Sequence, residues 1–282
     1  MKKLLSLLAM LGVLWTCQET GSNEPLLTAP VAEVVAASAT VSQTLLTAGR
    51  GTQNAKVYTT ASVTPQPSDL VLVSVTTYST LGTPPVPTIV GGGMSAWNAV
   101  STVTFDGARR RLTVFRARSS TPGSGALTIT STMTLSNMQW IVTQWRGVDT
   151  TGVNGAGAIG QIGSAVGVSV PSLGISLNSF TNANNVTYGS FGVNLNVESV
   201  TAGTGHTEIS EQASGESSTG DVQVEWGVAN HNAAAASWPP ARQAGGLAIE
   251  LKAAGAPVPN ELPVADFTFS CSDLVCNFTD AS

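Results

Sequence analysis

The densest set of side chains able to do chemistry lies in HTEISEQASGESSTGDVQVEWGVANH, residues 206 to 231. It holds both histidines of the chain, His206 and His231, with Glu208, Glu211, Glu216, Asp221 and Glu225. If HTEIS is a strand, alternate residues share a face, and His206 projects beside Glu208. Such a pair can bind a metal ion or serve as acid and base. Glu208 and Glu225 on neighbouring strands would suit glycosidic hydrolysis if their carboxyls stood roughly 5–10 Å apart. The alternative is a hairpin with a solvated acidic tip, SGESSTGD.

Three other features invite chemistry. GAGAIG, Gly155 to Gly160, matches the dinucleotide pattern G-x-G-x-x-G. Its context fails: no strand leads into it, no amphipathic helix follows, and no acid lies between Asp149 and Glu198 to meet a ribose. ARRRLTVFRAR carries five arginines. On a strand, Arg109 and Arg111 face one way, and Arg110, Arg116 and Arg118 the other. That pattern fits a stripe for acidic polysaccharide or a solvated edge strand protected against pairing. In NHNAAAASWPPARQ, a loop before the last strand, Trp238 precedes Pro239-Pro240. A tryptophan held there can stack on a sugar ring or cap the end of a sandwich. No G-x-S-x-G elbow and no H-E-x-x-H helix occurs.

The elements that must position these residues are strands. Only 10% of residues are charged, and helical spacing of Leu, Glu, Lys and Arg is nearly absent. The apolar fraction of 42% suffices for a core. From about residue 38 to 254, β-rich runs alternate with turn signals, about ten strands in all. DLVLVSVTTYS sets Val71, Val73 and Val75 on one face and Leu70, Leu72, Ser74 and Thr76 on the other. Asp106-Gly107 marks a hairpin between STVTF and RRLTVFRA. QWIVTQW is apolar on both faces, as a central strand would be. ALTITSTMTL, AVGVSV, NVTYGSFGV, HTEIS, DVQVEWGV and GLAIELK complete the set. The expected class is all-β: an antiparallel two-sheet sandwich of the jelly-roll kind.

The N-terminus reads as an export signal. Lys2 and Lys3 precede an apolar run from Leu4 to Trp15, short for a membrane span. No A-x-A site follows; Leu14-Trp15-Thr16-Cys17 resembles the lipobox of bacterial lipoproteins, in which the cysteine is lipidated. Residues 18–37 then form a tether. Of three cysteines, Cys271 and Cys276 lie close enough in sequence to pair in an oxidising compartment, leaving Cys17 for lipid or for removal with an ordinary leader. The formal charge is −5, and −7 once Lys2 and Lys3 are set aside, which argues against nucleic-acid binding.

WIVTQWRGVDTT, VTYGSFGV, GHTEISEQ, VQVEWGV and GGLAIELKAA together resemble a concanavalin-like jelly-roll domain of secreted bacterial surface proteins. That resemblance implies a fold and a location, not a reaction. Beyond a Pro/Ala linker at 255–262, PVADFTFSCSDLVCNFTDAS resembles the start of a PKD domain, an Ig-like module of surface proteins and secreted enzymes. It implies a truncated hairpin over 263–282, clipped by Cys271 and Cys276. The expectation is an exported, lipid-anchored surface module that binds extracellular polysaccharide without catalysis. Trp238, Arg109 and Arg111 are its candidate ligand contacts. The alternatives are a hydrolase or lyase using Glu208, Glu225 and His206, or a structural stalk. No cofactor is called for, and the sequence assigns no position to a structural calcium ion.

Overall fold

The computed structural model describes residues 40–194, 199–215, 220–228 and 230–255, and the backbone of 267–272 and 275–280. The leader with Cys17, the tether, and residues 256–266 lie outside these.

The centre is a five-stranded antiparallel sheet. It is built from β1 (Ser42–Gly51), β3 (Leu70–Tyr78), β5 (Asn98–Phe105), β6 (Arg110–Arg118) and β8 (Asn137–Arg146), in the order β1-β8-β3-β6-β5. Runs such as LVLVSVTTY and NMQWIVTQWR are apolar on both faces because both faces are covered. Leu70, Leu72, Leu112, Val114, Ile141 and Trp145 project to one side, and Val71, Val73, Val75, Phe115, Trp140 and Val142 to the other. The β5–β6 hairpin turns at Asp106 to Arg109, where Gly107 and Ala108 both take positive φ.

A six-stranded sheet packs on the first side. It comprises β9 (Ile159–Ser176), β10 (Val186–Val193), β11 (Thr201–Ala202), β12 (His206–Ala213), β13 (Asp221–Gly227) and β14 (Ala233–Leu251). Its Tyr188, Val222, Val224, Leu247, Ile249 and Leu251 complete the main core. Ser74 Oγ bridges the two sheets, 2.6 Å from the Tyr188 hydroxyl and 2.7 Å from Ser190 Oγ. Burial pushes the Tyr188 phenol up. A buried hydroxyl cluster of this kind must be mutually bonded or it costs stability.

The second side of the central sheet is not open to solvent. A third sheet covers it, in the order β2 (Ala55–Val63), β7 (Gly125–Leu135), β4 (Thr88–Gly91). Tyr58, Ile89, Leu127, Ile129 and Leu135 fill the gap. The all-β antiparallel class holds, and the two facing sheets are consistent with a jelly roll, but the body has three stacked sheets rather than two. Alternation along a strand reports that a face is buried, not which sheet buries it.

The long strands β9 and β14 add a further partial layer. Their shared ladder shifts register around Arg242, where Ser169 takes φ 58° and the Pro239–Pro240 bond is cis. Beyond this bend Ala234 and Ala236 on β14, with Ile175 on β9, pack over Phe191, Ala244 and Ala248 on the outer face of the six-stranded sheet. The segment NHNAAAASWPPARQ, expected as a loop, is therefore mostly strand. Its alanines are short enough to lie flat on the sheet below.

In the C-terminal segment, β15 (Phe267–Ser272) and β16 (Val275–Asp280) form an antiparallel hairpin in which Cys271 and Cys276 are register partners.

Candidate functional site

The predicted constellation is brought together and then sealed. On β12 and β13, Glu208 and Glu225 are direct cross-strand partners, so both belong to the outer face of the six-stranded sheet. Glu208 is exposed, whereas Glu225 is fully buried. Gly189 on β10 makes this possible: a Cβ there would sit 2.8 Å from Glu225 Cγ. Glu225 accepts hydrogen bonds from the backbone N–H of Ala235, at 2.9 Å, and of Gly203, at 3.4 Å. Those donors belong to β14 and to the strap leading from β11 into β12. Burial raises the Glu225 carboxyl, and His206 and the two N–H groups partly offset it.

His206 is equally enclosed, its side chain 1% exposed. Its Nε2 lies 2.6 Å from the Ala233 carbonyl oxygen, which can only accept, so Nε2 carries the proton. The same nitrogen stands 3.7 Å from Glu225 Oε1, and the ring meets His231 edge-on at 4.4 Å. Further along, Asp221 is buried on the same face; burial and the adjacent Glu211 push its carboxyl up to about 9. Glu211 in turn accepts from the Val200 N–H at 2.8 Å. Glu225 and Glu211 thus fasten the 199–206 strap to the sheet. A catalytic pair needs room for a substrate between its carboxyls, and here one is sealed by backbone donors. Among the described residues no group of three or more His, Cys, Asp or Glu can hold a metal ion.

The aromatic and cationic candidates are also committed. Trp238 is 1% exposed, donates Nε1–H to the Val170 carbonyl at 2.8 Å, and closes the β9–β14 bend, so neither ring face is offered to a sugar. Strand β6 lies inside its sheet, between β3 and β5, and is not an edge. Arg109 sits exposed in the turn before it. Arg111 donates to the Pro84 carbonyl at 2.6 Å and to Thr102 Oγ1 at 3.0 Å. Arg110 is buried over the Tyr78 ring and bound to Asp106 at 3.0 Å. GAGAIG forms a short 3-10 turn, Val153–Ala158, and the start of β9, with no helix behind it.

An open site occurs elsewhere, on the seam between β1 and β2. These strands follow each other in sequence but join different sheets, β1 with β8 and β2 with β7. The connection splits two layers, and clefts open along the split. One cleft of about 300 Å³ is lined by Ser42, Thr44 and Leu46 of β1, by Thr64, Gln66 and Asp69, and by Gln144 and Arg146 of β8. Asp69 is only 7% exposed, and its Oδ2 makes no hydrogen bond. Arg146 Nε is 3.5 Å from that oxygen, with the Arg146 side chain 67% exposed at the rim. Gln144 Oε1 accepts from the Gln66 N–H at 2.7 Å, which fixes the amide in the wall.

A second cleft of about 280 Å³ lies at the other end of β1, lined by Arg50, Thr52, Gln53, Tyr58, Thr59 and Trp140 among others. Gly51 lets the Tyr58 ring lie against the β1 backbone: a Cβ at Gly51 would come within 2.1 Å of it. The Tyr58 hydroxyl lies 2.7 Å from the Gln53 carbonyl, and Trp140 Nε1 is buried without a partner.

Of these residues only Trp140 and Gln144 stood out in the sequence, as parts of the strand QWIVTQW. The other available signal was Asp69, a lone acid set directly against the apolar run LVLVSV. Compared with protein-family models, curated proteins and solved structures, the chain matches none of them.

Proposed function

We propose that this protein is an exported surface module that binds extracellular polysaccharide without turning it over. The seam between β1 and β2 carries the reading: two clefts line one edge, walled by hydroxyls, amides and single charged groups. Such walls match the chemistry of sugar hydroxyls, which both donate and accept. The enclosure of Glu225 and His206 supports binding over hydrolysis. In this reading the body is a concanavalin-like jelly roll and the C-terminal hairpin opens a PKD module with a Cys271–Cys276 disulfide. The leader exports the chain, and Cys17 anchors it to a membrane. The ligand is a polymer outside the cell rather than a nucleic acid, in keeping with the acidic balance of the chain.

The test is retention of the full chain on a panel of insoluble polysaccharides, with the supernatant assayed for released saccharide. Retention without release is expected. Release of reducing ends or unsaturated products would make it a hydrolase or lyase, and no retention on any polymer would leave a stalk.

A further inference from the structure

We infer that the outer edge of β9 is an interface for a second copy of this chain. The copy adds its own β9 antiparallel across a twofold axis and joins two six-stranded sheets into one. This goes beyond the polysaccharide reading and does not depend on it.

An open sheet edge presents unpaired N–H and C=O groups, and proteins blunt such edges with charge, proline, bulges or shortness. The other edge strands here are all blunted. β1 shifts register after Leu45 and carries Arg50, and β2 shifts twice and carries Lys56. β5 shifts between Ala99 and Ser101. β4 has four residues and β11 two. β12 shifts between Glu208 and Ser210 and carries Glu208 and Glu211. The first half of β9 has none of these devices. IGQIGSAVGV, residues 159–168, contains no charge and no proline, and its ladder with β14 runs unshifted from Ile162 to Gly167. Among the described residues, β14 is the one strand that pairs with β9.

The order of residues selects a copy of the same strand. IGSAVGV, residues 162–168, is close to a palindrome. With Ala165 opposite its own copy, Gly163 meets Gly167, Ser164 meets Val166, and Ile162 meets Val168. Ile162, Val166 and Val168 share one face and are 45%, 50% and 73% exposed. The other face is small because Ile175 packs against Gly163 and Val170 against Gly167. Self-pairing answers the edge's backbone groups and covers the apolar face at once. With a formal charge of −5, copies of the chain repel each other. They can meet here without that penalty, since no charged residue lies between Asp149 and Glu198. β9 runs beside β5, at the edge of the central sheet opposite β1, so pairing leaves the seam clefts open.

Sedimentation velocity of the full chain over a concentration series tests this, together with hydrogen exchange. The parent should dimerise, and amides of residues 162–168 should exchange more slowly as concentration rises. Val166→Lys, at an exposed position, sets a lysine on each side of the axis and should weaken the dimer at least about tenfold. Val168→Lys, more exposed still, should weaken it in the same way. A dimer that keeps its strength in both variants would overturn the inference. So would a dimer whose 162–168 amides exchange as fast as the monomer's. A monomer at every concentration would overturn it too, and would leave the edge to a strand from another protein.

Discussion

Two regions of this protein place carboxylates against a sheet, and they do opposite things with them. On the outer face of β12 and β13, Asp221 and Glu225 are both buried, and Glu225 is used up by the Gly203 and Ala235 N–H groups. At the β1–β2 seam, Asp69 sits against an equally apolar strand, but no backbone donor reaches its Oδ2 and a cleft opens beside it. The first region is far richer in acids, yet its chemistry is spent on holding a layer in place. What separates the two is the connection. Residues 199–206 are fastened to the outer face of their own sheet, whereas β1 and β2 part into different sheets and leave a gap. An unanswered oxygen does not by itself mark a site, since both Asp221 oxygens are also buried without a hydrogen bond; what distinguishes Asp69 is the cleft beside it.

The sharpest way to break this contrast is to remove the sealed acid. Glu225→Ala would leave the Ala235 N–H without its acceptor, remove the partner of the enclosed His206 and open a void above Gly189. The expected loss is about 2–4 kcal/mol of stability, read by denaturant unfolding. Glu225→Gln, which keeps an acceptor oxygen toward Ala235, should lose much less. Polysaccharide retention by the folded fraction of either variant should equal that of the parent. A loss of retention at unchanged stability would mean that Glu225 touches ligand.

Asp221 tests the same region through pH, with the opposite sign. Its carboxyl is held up to about 9, first by burial and then by Glu211, with Glu208 on β12 adding to the effect. The folded state keeps the proton that the unfolded chain releases near pH 4. This contribution is therefore fully present below about pH 4 and drains away as pH rises toward 9. Asp221→Asn cannot ionise and can donate to Glu211. It should be more stable than the parent by about 1–3 kcal/mol at pH 8 and should show a flatter midpoint between pH 5 and 8. Parallel pH profiles for the two proteins would mean that Asp221 is not enclosed in solution.

The sequence revealed strands better than it revealed layers. β3 and β8 were legible because residues are apolar on both faces, and β5 and β6 because Asp106-Gly107 supplies a turn between β-rich arms. The pairing of Glu208 with Glu225 on neighbouring strands was legible too. Their separation by burial was not, since the strap that seals one of them has no periodic signature. β1 and β2 escaped because SQTLLTAGRG has no fully buried position and AKVYTTASV buries only Tyr58, Thr60 and Val63, so neither keeps a clean alternation. The cleft between them was invisible for the same reason. Its walls come from the start of β1, the end of β8 and the approach to β3, segments that only the sheet order brings together.

The smallest expected effects concern the arginines, and they decide where the ligand lies. Arg111→Ala removes bonds to Pro84 and Thr102 and should cost about 1 kcal/mol. Arg109→Ala, at an exposed turn, should change stability by less than about 0.5 kcal/mol. Neither residue lines the seam, so neither change should alter retention on polysaccharide. If both variants bound more weakly while Arg146→Ala bound normally, the ligand would lie along the β5–β6 hairpin. The open cleft would then be a by-product of how β1 and β2 part.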